Sequence, residues 1–213
     1  MAEHWGDGRD AWQREDLEAL DRYETRHALL SRPRGHSKTG DAGSEAMVEL
    51  LTGKDKVLLC YSADEEQATL LLNDVKAKLR RGRYVSELSP RTAISKDAPE
   101  VWQPGDPIKV HIYQDRIVST SGNVLTEEAS HVSSSWGKRP DWVVCDELVE
   151  WRRPALWQAI WSATGKRPRS RVIVITTSGW DKSHFAWNAR NQALLVGRIG
   201  GRHDRNRERI AYK

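Results

Sequence analysis

An α/β fold with a mainly parallel central sheet flanked by helices is what this 213-residue sequence predicts, and three observations carry it. Apolar strand-like runs alternate with segments of helical periodicity along the chain. The stretch Ser31-Arg32-Pro33-Arg34-Gly35-His36-Ser37-Lys38-Thr39 follows an apolar run, Ala28-Leu29-Leu30, and precedes a helical pattern over 41–51. That is the strand–loop–helix layout of a phosphate-binding loop. Much further along, Trp142-Val143-Val144-Cys145-Asp146-Glu147 is a continuous apolar run ending in two acids, the pattern of a buried parallel strand.

The elements follow in order. A helical pattern over 11–23 places Trp12, Leu17 and Leu20 on one side. Residues 28–31 form the first strand and 56–61 the second. Ser62-Ala63-Asp64-Glu65-Glu66 opens a helix with a hydroxyl at its start and acids in its first turn. Ala68, Leu71, Leu72, Val75 and Leu79 form its apolar face, and Arg80-Arg81-Gly82 closes it with positive charge and a glycine. Residues 84–107 show little periodicity. The alternation around Val110, Ile112, Ile117 and Val118 predicts a β-hairpin insertion around 108–125. The Ser-rich stretch 127–141 reads as a loop. Strand 142–146, a helix over 154–163 with Pro154 in its first turn, strand 171–176 and a helix over 183–196 complete the pattern. The crossovers between parallel strands are expected to be right-handed.

Bulk numbers narrow the class. With 38% hydrophobic and 30% charged residues the chain suits one well-buried domain rather than a disordered segment. A net charge of +4 permits a nucleic-acid partner without requiring one. The two cysteines, Cys60 and Cys145, lie in apolar runs without metal-ligand spacing, so they read as reduced core residues. No apolar run approaches the length of a membrane span, and the polar N-terminus lacks a signal-peptide core.

The chemistry follows from residue type and place. Lys38 at the loop's end reaches the β- and γ-phosphates of a nucleoside triphosphate, and the Thr39 hydroxyl ligates Mg²⁺. Backbone N–H groups from Gly35 to Lys38, including His36 and Ser37, cradle the phosphates. The usual pattern has glycines where this loop has Arg32 and Ser37, and its single glycine, Gly35, is displaced. Ligands of open α/β sheets bind at the carboxyl ends of strands. Asp146 there holds Mg²⁺, and Glu147 orients and deprotonates water, provided the strand ends near Asp146 so that both acids face one site. Glu150 is the alternative base. Together these features read as a nucleoside triphosphatase.

Five features, in order, carry a family resemblance: Arg34-Gly35-His36-Ser37-Lys38-Thr39; Tyr61-Ser62-Ala63-Asp64-Glu65-Glu66-Gln67-Ala68; Gly137-Lys138-Arg139-Pro140-Asp141; Asp146-Glu147; and Thr176-Thr177-Ser178. Over about residues 26–180 the chain resembles the ATPase domain of the large terminase subunit of tailed bacteriophages, the DNA-packaging motor. The resemblance implies a P-loop NTPase of the ASCE/RecA-like type using ATP and Mg²⁺. It also implies a role for Arg34 at the γ-phosphate and for Thr176, Thr177 and Ser178 in coupling hydrolysis to DNA movement. A trans-acting arginine finger is implied as well, with Arg139 the candidate and Lys138 second.

The implied partners are double-stranded DNA, a homo-oligomeric ring on a portal protein, the small terminase subunit, and a nuclease domain or subunit, with no membrane. The implied place is the host cytoplasm, at the procapsid portal. The expected organisation is a helical segment at 1–25, the ATPase domain at 26–196, and a basic, glycine-containing tail or start of a linker at 197–213. No nuclease domain, and so no nuclease activity, is expected within this length. Arg80, Arg81 and Arg83 are either DNA-phosphate contacts or a solvated helix end; Gln13 or Trp12 is the candidate adenine contact. The alternatives are another DNA translocase or helicase-like ATPase, and a nucleotide-binding assembly module with weak hydrolysis.

Overall fold

The computed structural model describes residues 9–21, 26–63, 65–85, 102–128, 139–177, 179, 181–196 and 208–212. The helices are α1 (Ala11–Asp21), α2 (Lys38–Leu50), α3 (Glu65–Arg81), α4 (Pro154–Thr164) and α5 (Phe185–Val196). The strands are β1 (His27–Ser31), β2 (Val57–Tyr61), β3 (Val110–Ile112), β4 (Arg116–Ser119), β5 (Val124–Glu128), β6 (Trp142–Asp146), β7 (Arg171–Thr176) and β8 (Glu208–Tyr212). A 3₁₀ turn, Leu148–Glu150, follows β6.

All eight strands join one sheet in the order β3-β4-β5-β2-β6-β7-β1-β8. The central five, β5-β2-β6-β7-β1, are parallel. Antiparallel β4 and β3 extend one end, and antiparallel β8 the other. The strand β7 therefore lies between β1 and β6, and brings its carboxyl end between the phosphate-type loop and the acid pair.

Both faces of the central strands are covered, which is why β6 is buried along its whole length. Alternate residues feed two cores. Leu58, Cys60, Trp142, Val144, Ile173 and Ile175 pack with Leu17 and Leu20 of α1, Ala42, Ala46 and Leu50 of α2, and Leu71, Leu72, Val75 and Leu79 of α3. Leu29, Leu59, Val143, Cys145, Val172 and Val174 pack with Leu156 and Ile160 of α4, Ala186 and Ala189 of α5, and Trp151.

The structure departs from the sequence expectations in three places. The strand β5 runs to Glu128, where a loop was expected from 127, and it pairs in parallel with β2. The expected hairpin, β3–β4, is thus the antiparallel end of the main sheet rather than a separate insertion. Asn123 fixes the join. Fully buried, it accepts from the Lys56 N–H at 2.9 Å and donates to the carbonyls of Leu50 at 2.9 Å and Thr52 at 3.1 Å. In the tail, expected to be a linker or frayed end, 208–212 pairs with β1 residue for residue. The edge of β1 offers backbone groups that need partners, and a strand satisfies them. Finally, α2 begins at Lys38, three residues before the apolar pattern, because the loop's last residues already form its first turn; the Asp41 N–H donates to the Ser37 carbonyl at 2.9 Å.

Candidate active site

The loop after β1 turns at its single glycine. Gly35 has φ 78°, a left-handed value natural to glycine. Ser37, where a glycine is usual, is also left-handed at φ 54°, a conformation that costs an L-residue roughly 1–2 kcal/mol. Lys38 is buried, and its Nζ donates to the carbonyls of Arg32 at 3.1 Å and Pro33 at 3.3 Å. The same ammonium lies 3.4 Å from Glu147 Oε1. The loop lysine and the second acid, far apart in sequence, therefore meet as expected.

The acid pair divides at the end of β6. Asp146 is the last strand residue; Glu147 turns left-handed, with φ 47° and ψ 53°. That break defeats the strand alternation that would have sent the two side chains to opposite faces, and both acids line one cleft. The Glu147 N–H donates to the Ile175 carbonyl at 2.7 Å, which fixes the turn against β7. Glu147 Oε2 accepts from the Thr177 N–H at 2.9 Å and from its hydroxyl at 3.3 Å. One carboxylate oxygen is thus held by the end of β7, and the other faces Lys38.

Asp146 is buried, and one of its carboxylate oxygens, Oδ1, has no hydrogen-bond partner among the described residues. Burial, with the adjacent Glu147 charge, pushes its carboxyl up to about 7, while Lys38 opposes the shift. A buried, unpartnered carboxylate oxygen beside a cationic loop is a donor that suits a divalent cation. Thr39, half-buried at the start of α2, lines the same cleft.

That cleft encloses about 970 Å³ and runs under the loop from Arg34 to Gly40, with Ala63, Gln67 and Leu70 along one wall. Its size suits a nucleotide. Arg34 is exposed at its rim and also borders a second cleft, of about 420 Å³, between the end of β7 and α5. Glu150, the alternative base, is exposed on the same rim. Thr176 accepts from the Val149 N–H at 3.3 Å and so braces the turn after β6.

Other expected residues lie elsewhere. Arg139 is exposed ahead of β6, seven positions before Asp146. At ~3.3 Å per residue it stands about 20 Å from the acid pair, toward the amino-terminal end of β6. It is not part of this cleft. Arg80 and Arg81 are exposed in the last turn of α3, and Arg83 just beyond it; Gln67 near the other end of that helix is the residue at the cleft. Gln13 is buried away from the cleft wall, accepting from the Asp10 N–H at 3.0 Å and donating to Asp41 at 3.4 Å. Trp12 sits outside the loop, its ring 6.3 Å from that of His36. Neither lines the cleft. Ser178 and Lys138 lie outside the described residues.

Sequence reasoning missed Arg152, which lines the cleft, and Arg32, which is buried beneath the loop. The sequence shows only that an arginine stands in a glycine's place; that acids at 16 and 41 are its partners is visible only in the fold.

No protein-family model and no curated protein matches this sequence. Solved structures do match. The large terminase of bacteriophage HK97 superposes with a TM-score of 0.69 at 18% identity, over 88% of this chain and 37% of that one. The large terminase ATPase domain of Thermus phage P74-26 gives 0.60 at 17% identity, over 96% and 76%. The large terminase of a thermophilic bacteriophage, in complex with ADP, gives 0.54 at 10% identity, over 79% and 39%. The chain therefore spans little more than a third of the HK97 protein and of the ADP-bound one. At these identities the likeness is one of architecture: this chain shares its fold, a mainly parallel sheet covered by helices on both faces, with the ATPase domains of phage large terminases.

Proposed function

We propose that this chain is a Mg²⁺-dependent, ATP-hydrolysing motor domain of a DNA-packaging terminase, which couples hydrolysis to movement of double-stranded DNA into a procapsid. The observation that carries the reading is the convergence of Lys38, Asp146 and Glu147, from two strand ends, on one cleft, with Glu147 held by Thr177 from a third. In that reading Lys38 and the loop N–H groups bind the β- and γ-phosphates at the start of α2, where the helix dipole favours anions. Thr39 and Asp146 would hold Mg²⁺, which, when bound, offsets phosphate charge as it develops. Glu147 orients the attacking water and accepts its proton at Oε1, the oxygen that Thr177 leaves free. Thr177 fixes that carboxylate and so ties the state of the γ-phosphate site to β7 and the turn braced by Thr176.

Arg34, at the rim, is assigned to the γ-phosphate. Arg139 is assigned to a neighbouring subunit's site, since its own is about 20 Å away at ~3.3 Å per strand residue. That assignment calls for a homo-oligomeric ring, on a portal protein and with a small terminase subunit and a nuclease domain or subunit, in the host cytoplasm.

The test is steady-state ATP hydrolysis against protein concentration, with Mg²⁺, for wild type, Glu147→Ala and Arg139→Ala. A rate per subunit that rises with concentration and is lost in both variants supports the motor with a trans-acting finger. A concentration-independent rate that needs Glu147 but not Arg139 keeps the ATPase and removes the finger assignment. Nucleotide binding without Glu147-dependent turnover at any concentration would instead favour an assembly module.

A further inference from the structure

The loop after β1 lacks the glycines that usually let a phosphate cradle wrap its ligand, and a buried arginine occupies the first of those places. Arg32 is 3% exposed. Its guanidinium donates to Asp16 Oδ2 of α1 at 2.6 Å and to Asp41 Oδ2 of α2 at 2.7 Å. The group that reaches Asp41 also donates to the His36 carbonyl, inside the loop, at 3.3 Å. The Trp12 ring covers the guanidinium at 4.7 Å. On its backbone side, the Arg32 carbonyl accepts from Lys38 Nζ. One residue therefore touches α1, α2, the crest of the loop and the lysine at its end.

The surrounding charges are shared rather than surplus. Asp41, 1% exposed, also accepts from Arg9 Nε at 3.2 Å and from Gln13. Arg9 in turn reaches the Ser44 hydroxyl at 2.5 Å. A buried ion network of this kind adds little net stability over an apolar packing of the same shape, but it fixes geometry through directional bonds.

We propose that Arg32 is a positioning residue for nucleotide: clamped by Asp16 and Asp41, it holds the His36 carbonyl and the Lys38 ammonium in the phosphate-binding arrangement, and so makes α1 part of the site. The inference rests on the reading of the cleft as an ATP site. A glycine-containing loop takes its shape from backbone freedom; here the shape is imposed from beneath. Arg32 touches no phosphate in this scheme. Its loss is felt as weaker ground-state binding, with KM and ADP affinity affected together and kcat largely spared.

The test uses the full chain and a fluorescent ADP analogue, with ATPase kinetics and thermal melting alongside. Removing Arg32 alone would take the guanidinium away from two buried acids, so the informative variant is the double Arg32→Met/Asp16→Leu, which leaves Asp41 with Arg9. It is expected to melt within a few degrees of wild type, bind ADP about tenfold more weakly, raise KM by the same factor, and change kcat less than threefold. Arg32→Lys keeps the charge but not the fork, and should fall between the two. A folded double variant with wild-type ADP affinity overturns the inference while leaving the ATP reading intact. If the double variant does not fold, Asp16→Asn decides: about threefold weaker ADP binding supports the clamp, and unchanged binding removes it. A wild-type chain that binds no ADP would sink the ATP reading, and the clamp with it.

Discussion

Asp146→Asn should make the protein more stable at pH 8 while abolishing Mg²⁺-dependent hydrolysis. Asp146 is buried at the end of β6, beside Glu147, and its carboxyl is pushed from 3.8 to about 7. Because the folded value lies above the unfolded one, the ionised form is the costly one. Below pH 4 both folded and unfolded chains carry the neutral acid, and the group contributes nothing. Between pH 4 and 7 the unfolded chain loses the proton while the folded one keeps it, so stability falls as pH rises. Above pH 7 the full penalty stands: about 3 pH units at 1.36 kcal/mol each, or about 4 kcal/mol. Asparagine removes the charge but buries an amide with its own hydrogen-bonding needs, so about 2 kcal/mol of that should be recovered. For a chain of this length that is a rise in Tm of roughly 4–8 °C. The assay is thermal unfolding without Mg²⁺ or nucleotide, from pH 4 to pH 8, for both proteins. The variant should be the less stable protein at pH 4, by up to about 2 kcal/mol, match the wild type near about pH 5, and be the more stable one at pH 8. Equal stability at pH 8, or a wild type that gains on the variant as pH rises, would refute the burial argument.

Ser37→Gly should raise the Tm by up to about 3 °C, since relief of a left-handed serine (~1–2 kcal/mol) outweighs the entropy of an added glycine (~0.5–1 kcal/mol); a scan of apo protein checks it. Thr177→Val keeps the backbone bond to Glu147 but loses the hydroxyl one. It should lower kcat roughly three- to tenfold with KM little changed, as read from steady-state ATPase rates. Asn123→Ala should cost about 2–4 kcal/mol in urea unfolding, because it strands the Lys56 N–H and the Leu50 carbonyl at a fully buried site.

The fold was legible wherever burial is two-sided. The strands at 57–61, 142–146 and 171–176 read as apolar runs because helices cover both faces of the sheet, and periodicity alone then finds them. What periodicity could not show was pairing. Glu127 and Glu128 look like the start of a loop, yet β2 supplies a partner for their backbone, and sheet pairing overrides side-chain polarity at a strand's end. The tail's Ile210-Ala211-Tyr212 is too short to stand out among basic residues, and only the open edge of β1 explains its extension.

The site divides the same way. Lys38, Thr39, Asp146 and Glu147 were legible as candidates because the chemistry expected of a phosphate loop and an acid-ended strand calls for those residue types at fixed places. Arg32 was not, because its role is set by Asp16 and Asp41, which the fold alone brings together. Backbone strain marks the same boundary. Of the four left-handed non-glycine residues among those described, Ser37 and Glu147 line the cleft, and neither conformation could be predicted from residue type. Each has a holder: Asp41 bonds back to the Ser37 carbonyl, and Ile175 and Thr177 fix Glu147. Strain that the surroundings over-determine is strain they can release. The turn at Glu147 connects the cleft to β7, so a carboxylate that changes partner there must move either Thr177 or the backbone that β7 holds. A motor built on this sheet would therefore transmit hydrolysis first through Glu147 and Thr177, and only then to more distant elements.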